Sequence, residues 1–202
     1  MTELSKLVHS SISYRKSPKF PTSDFIFKTL DDSLVSPSAR ELPANLCSKR
    51  ITSIAYHEAG HAVVAAVKKI EFIYVALFGI GWGREDAGHV WFDNLDSMYT
   101  RDIISILFAG VIAEQKISRR PEWALLKEGG SSDRDKILRI WARATRGSLD
   151  PVEKRNRLLM NIYDDTKILI NKNMSWIRSV AKEIVIRKHH RLSYSEVTFL
   201  QP

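Results

Sequence analysis

Residues 53–67 read SIAYHEAGHAVVAAV, and this run limits the folding options of the chain more than any other. Alanine and valine dominate it, so at helical spacing it is apolar nearly all round and reads as a buried helix. It nevertheless carries two histidines, a glutamate and a glycine, none of which improves a helix over alanine. His57 and His61 stand four apart, which puts both imidazoles on one helical face, roughly 5–6 Å apart at Cβ. Two neutral nitrogens so placed can hold two corners of a tetrahedral zinc. Glu58, rotated along the same side, can reach a water on that metal and act as general base, the HExxH arrangement. Buried helices seldom carry two imidazoles and a carboxylate unless these are paired or metal-bound. Gly60 costs up to about 1 kcal/mol against alanine inside a helix. A second backbone is therefore expected beside it, either the loop at Gly129 to Asp133 or a strand that binds substrate.

The surrounding chain reads as mainly α with a small β-hairpin or edge strand. Residues 1–47 hold Pro18, Pro21, Pro37 and Pro43 among many serines without a sustained period, an extended or partly disordered arm with one short apolar piece at Phe25-Ile26-Phe27. A helix is expected from Ser48, as N-cap, to about Lys68. IEFIYVALF (70–78) is short, β-branched and aromatic, which favours a strand, and GHVWF (88–92) returns as its partner after glycines 79, 81 and 83. Asp96 or Ser97 caps a helix through RDIISILFAGVIAEQKI, and Ser132 opens another running to about Thr145. Helical spacing from Pro151 to Ile186 predicts two packed helices that break near Asn171 to Met174.

Composition then narrows the setting. With 202 residues, 44% hydrophobic and 27% charged, the chain has material for one domain of 48–200 plus the arm. Its net charge of +8 comes from basic residues spread along the sequence. No nucleic-acid motif with defined spacing accompanies them, so nucleic acid is not an expected partner. Cys47 is the single cysteine, which rules out a disulfide framework and a thiolate zinc cluster. The first twenty residues lack the apolar core of a secretory signal. Apolar runs such as YVALF and AVVAAV fall well short of the roughly 18–20 residues of a membrane span. A cytoplasmic, reducing setting is the expectation.

A catalytic zinc site takes three protein ligands. The extended HExxHxxGxxH form is absent, since AVVAAV follows His61. From residue types alone the third ligand is open among Glu85, Asp86, His89, Glu114, Asp133 and Asp135. YHEAGHAVVA resembles the peptidase domain of the FtsH-type ATP-dependent zinc proteases, and LFAGVIAEQ and GGSSDRDKILRIWAR extend the likeness. INKNMSWIRSVAKEIVIRKHHRLSYSEV matches that family's closing helices more loosely. The resemblance spans about residues 48–200 and implies a helical zinc-metallopeptidase domain with one zinc ion on His57, His61 and Asp133. Glu114 and Asp135 are the alternatives for the third place. Ser132 as a helix cap with Asp135 as reciprocal partner would leave Asp133 free to face a metal.

The function implied is a zinc endopeptidase that hydrolyses unfolded or flexible polypeptides, with Glu58 as catalytic base. An extended substrate would add to the edge strand at Gly88, His89, Val90 and Trp91. No GxxxxGK[ST] motif occurs in the sequence, so the unfolding ATPase of that family has no counterpart here. The expected partners are a polypeptide substrate and a separate ATP-dependent unfoldase, with an oligomer compatible with the resemblance. The competing function is a protease-derived zinc-containing binding or regulatory module without useful turnover. A basic nucleic-acid-binding protein rests on charge alone.

Overall fold

The computed structural model describes residues 44–78, 87–93, 98–118, 120–121, 124–125, 131–187 and 189–202. Residues 1–43 of the expected 1–47 arm, Glu85 and Asp86, Asp96 and Ser97, the glycines at 79, 81 and 83, and the Gly129-Gly130 loop lie outside the described residues. Residues 44–47 of that arm are helical instead, and the helix expected to be capped by Asp96 or Ser97 has Tyr99 as its N-cap.

The protein is mainly helical, with a small antiparallel sheet. Helix α1, Ala44–Val67, starts four residues before Ser48, so Ser48 is not its cap. Pro43 precedes the first helical residue, and a proline, lacking an N–H, is tolerated only at or before a helix's first turn. Residues 57–66 are all buried, as the apolar run requires. Helix α1 ends where Lys69 takes a left-handed φ of 57°. There the Ile70 N–H reaches the Ala65 carbonyl and the Lys69 N–H reaches that of Ala66, both at 2.9 Å, the hydrogen-bond pair of a Schellman cap.

Strands β1 (Tyr74–Phe78) and β2 (Ala87–Trp91) form a hairpin. A third strand, β3 (Arg191–Ser193), pairs with the other side of β1, giving the order β2-β1-β3. Three residues are too few to show a period, so β3 was not legible in the sequence. Its presence makes β1 central and, among the described residues, leaves β2 as an edge. Val75, Leu77, Val90 and Leu192 turn into the core shared with α1.

Helices α2 (Thr100–Gln115) and α3 (Ser131–Ala144) follow. Helix α4 (Val152–Lys172) and helix α5 (Met174–Ile186) are separated by Asn173 alone, within the expected break. A short α6 (Tyr194–Phe199) closes the chain. Helix α1 packs most extensively on α2 and next on α5. No helix among the described residues is long and apolar enough to cross a membrane.

Gly60 sits where α1 meets α2. A Cβ placed on it would lie 2.5 Å from the Ala109 carbonyl oxygen and 2.7 Å from the Ala113 Cβ. Among the described residues the close neighbour is therefore helix α2 and not β2, because small residues on both helices bring the two backbones together. Gly60→Ala gains about 1 kcal/mol of helix propensity but must push a backbone aside, an overpacking cost of about 1–3 kcal/mol. The expected outcome is a net loss of stability, read as a melting temperature lower by several degrees.

At the C-terminus, Ser193 and Glu196 form a capping box on α6, and the Trp176 indole N–H donates to the Val197 carbonyl at 2.8 Å. The Ser193 backbone N–H, its hydroxyl and then Arg187 hold the Glu196 carboxyl down at about 2. A carboxylate depressed on folding stabilises the fold above its ordinary range, and that contribution disappears as pH falls through about 2. Glu196→Ala, which removes the acceptor of both Ser193 donors, is expected to cost about 1 kcal/mol at pH 7, the usual value of a lost hydrogen-bonded partner, with the difference from wild type shrinking in acid. Urea midpoints at the two pH values check this.

Candidate metal centre

A cleft of about 1030 Å³, open to solvent, runs between α1, α2, α3 and the β2 edge. Helix α1 supplies His57, Glu58 and His61, and all three are buried. Their four-residue spacing sets the two imidazoles edge to face, with ring centroids 4.7 Å apart and planes at 82°. Helix α3 supplies Asp133 from its first turn, also buried.

The outer nitrogen of each ring is already committed. His57 Nδ1–H donates to Glu114 Oε2 at 3.0 Å, and His61 Nδ1–H donates to the Ile106 backbone carbonyl at 2.6 Å. Both acceptors carry no proton of their own, so each Nδ1 must be the donor. Ser53 Oγ–H donates in turn to Glu114 Oε1 at 2.6 Å, which fixes the far carboxylate.

The two Nε2 atoms therefore face inward, onto one oxygen. Asp133 Oδ2 lies 3.0 Å from His57 Nε2 and 3.2 Å from His61 Nε2. Two imidazole lone pairs and a carboxylate oxygen converging this closely require positive charge between them, from protons or from a metal ion. The three side chains offer ligand atoms that all lie within 4.8 Å of one another, so the group can hold a metal ion. For comparison, a tetrahedral zinc with ligands at 2.0–2.2 Å has edges of roughly 3.3–3.6 Å. Nδ1 atoms tied to a carboxylate and a backbone carbonyl are the usual support for metal-binding imidazoles.

Electrostatics follow the same geometry. Burial alone would lower the His57 imidazole, but its hydrogen bonds to Asp133 and Glu114, helped by nearby carboxylate charge, raise it to about 10. Burial would raise Asp133, yet the His61 charge and the hydrogen bonds from both imidazoles hold it far below the ordinary carboxylate range. Burial raises Glu58, against the opposing pull of His61 and His57. Glu114 is held low by His57 and Ser53 despite its burial.

Two glycines shape the space. A Cβ on Gly110 of α2 would stand 2.5 Å from His61 Nε2 and 2.6 Å from His57 Nε2. A Cβ on Gly88 of β2 would stand 2.2 Å from Glu58 Cγ. Only glycine lets α2 pass over the paired nitrogens and lets the edge strand lie against the glutamate.

Of the residues weighed for the third place, Asp133 alone joins the histidines among the described residues. Glu114 stands behind His57, on the wrong nitrogen. Asp135 turns to the Arg134 guanidinium, at 3.0 and 3.2 Å. Ser132 is not the cap of α3, which already includes Ser131, so the reciprocal pairing with Asp135 does not form. His89 is exposed on β2, with its ring against Trp91. Of the four expected substrate-strand residues, Gly88, His89 and Val90 line the cleft. Trp91 is not among the lining residues and instead stacks on Tyr74 at 6.0 Å. The sequence reading missed Gly110, Ser53 and the Ile106 carbonyl. Gly110 did carry a signal, a glycine centred in an apolar helix, which is the logic applied to Gly60.

No protein-family model matches the chain, and comparison with curated proteins gives no match. The function is therefore argued from this geometry.

Proposed function

We propose that the chain is a zinc-dependent endopeptidase acting on unfolded or flexible polypeptides, as its resemblance to the FtsH-type peptidases implies. The observation that carries this reading is the position of Glu58. Its carboxylate is buried beside the His57, His61 and Asp133 group and inside the same cleft, against Gly88 of the edge strand. A purely structural metal site has no need of such a neighbour.

His57, His61 and Asp133 would hold the ion through two nitrogens and one oxygen, a donor set that suits zinc better than the oxygen-seeking magnesium or calcium. When bound, zinc supplies Lewis acidity, acidifying the attacking water and polarising the scissile carbonyl. Glu58 would take a proton from the attacking water and pass it to the leaving amine. Its burial-raised pKa makes it a stronger base than a free carboxylate. The outer edge of β2 offers backbone N–H and C=O groups to an extended substrate. A single-cysteine chain suits the cytoplasm. Folded substrates would need a separate ATP-dependent unfoldase.

The test is digestion of an unfolded protein such as casein by the zinc-loaded chain. Cleavage should stop with a chelator and return with added zinc. A chain that binds zinc and casein yet leaves the casein intact would be the protease-derived binding module instead.

A further inference from the structure

Helix α3 carries more than Asp133. Continuing from it, the helix presents Lys136, Arg139 and Arg143, with Arg146 in the turn that follows. The Arg146 N–H reaches the Arg143 carbonyl at 3.3 Å, a turn that carries the chain past the helix end at Ala144. At 100° per residue Lys136, Arg139 and Arg143 fall within an arc of about 60° and extend over about 10 Å, and Arg146 follows in the turn, about 5 Å further along. They form one ridge.

The ridge starts in the candidate active site. Lys136 lines the cleft, and its Nζ lies 3.4 Å from Asp133 Oδ1, the oxygen turned away from the histidines. Ile140, one turn further along the same side, also lines the cleft. Arg139, Arg143 and Arg146 are exposed. Arg139 donates through Nε to the Asp135 backbone carbonyl at 3.2 Å, which keeps its charge. Of the two carboxylates of this helix, Asp133 pairs with Lys136 at the cleft end while also facing the imidazoles, and Asp135 is held by Arg134, so neither meets the three arginines through its side chain. Among the described residues no acidic side chain pairs with Arg143 or Arg146.

We propose that this ridge binds an acidic stretch of the polypeptide whose scissile bond lies in the cleft, so that the enzyme prefers substrates with glutamate- or aspartate-rich segments. The inference rests on the endopeptidase reading. A length of about 15 Å spans four or five residues of extended chain at about 3.3 Å each. Aligned exposed charges of one sign steer and hold a complementary segment, and the attraction is screened by salt. Acidic polypeptide is favoured over nucleic acid because the ridge leads into a cleft bordered by a free strand edge, the kind of edge at which peptides add.

The experiment uses the zinc-loaded full chain carrying Glu58→Gln, so that binding is read without turnover. Two fluorescein-labelled peptides share one unstructured segment and end in either a hexaglutamate or a hexaglutamine tail. Fluorescence anisotropy should show the acidic peptide binding roughly tenfold tighter at low salt, the scale of a few exposed ion pairs. The advantage should vanish near 1 M salt, where the Debye length is about 3 Å. Adding R139E, R143E and R146E should remove it, with zinc content, circular dichroism and affinity for the hexaglutamine peptide unchanged. Equal affinities for the two peptides, or an advantage that survives the triple substitution, would overturn the proposal. So would a poly-dT oligonucleotide that binds the ridge more tightly than the acidic peptide. A wild-type chain that cleaves neither peptide, with the tail preference intact, would count against the endopeptidase reading and leave the ridge as an acidic-segment binding site.

Discussion

Gly110→Ala is expected to lower zinc affinity by at least about a hundredfold while helix α2 stays folded. The added methyl would lie 2.5 and 2.6 Å from the two inward nitrogens, well inside van der Waals contact. Rotation of the rings would ordinarily relieve such a clash. Here each ring is tethered through Nδ1, His57 to Glu114 at 3.0 Å and His61 to the Ile106 carbonyl at 2.6 Å. The methyl must therefore displace the metal-facing nitrogens or break those tethers. Changes in the groups that orient metal ligands typically cost 10–100-fold in affinity, and this one acts on both imidazoles at once. The helix itself gains about 1 kcal/mol from replacing glycine with alanine. The same methyl overpacks the tethered rings in the metal-free fold, at about 1–3 kcal/mol, so zinc affinity should fall much further than metal-free stability, which should fall only slightly. Competition with a chromogenic chelator reads the first and circular dichroism the second. Wild-type affinity in the variant would show that the nitrogens do not converge where the structure places them.

The second large effect is on turnover. Glu58→Gln keeps the shape and burial of the side chain but removes its capacity to take a proton, and Glu58 lies outside the metal-holding group. Cleavage should fall by about 10²–10⁴-fold, the usual contribution of a general base, with zinc affinity unchanged. Gly88→Ala should mimic this loss through sterics, since its methyl would stand 2.2 Å from Glu58 Cγ. In the proposed role Glu58 would act only as the carboxylate, and burial raises its pKa. Activity should therefore fall as pH drops, beginning at a higher pH than a free glutamate would give. Retained cleavage by Glu58→Gln would remove this residue from the mechanism.

The helical layout and the His57, Glu58 and His61 face were legible because both rest on a short-range period. Ten consecutive buried residues in α1 are what an Ala/Val-rich run dictates, and the hairpin follows from two β-branched segments flanking a glycine cluster. Contacts set by tertiary packing were harder to read. Gly60 announced a close neighbour, but its identity depends on which helix α1 packs against. Ser132 looked like a cap because serine caps well in isolation, yet α3 begins one residue earlier. Glu114 and Asp133 are both carboxylates at plausible distances along the chain. Only the fold shows that one reaches the outer nitrogen of His57 and the other reaches the inner nitrogens of both rings. Strand β3 depends on pairing with β1, which three residues cannot announce by themselves.

The most direct test of the central claim is the zinc dissociation constant of wild type measured beside Asp133→Asn and Asp135→Asn. His57, His61 and Asp133 as the metal-holding group predict one zinc per chain in wild type and in Asp135→Asn. They also predict an affinity lower by about a hundredfold or more in Asp133→Asn, with the fold retained. Equal zinc affinity in wild type and Asp133→Asn would contradict the account.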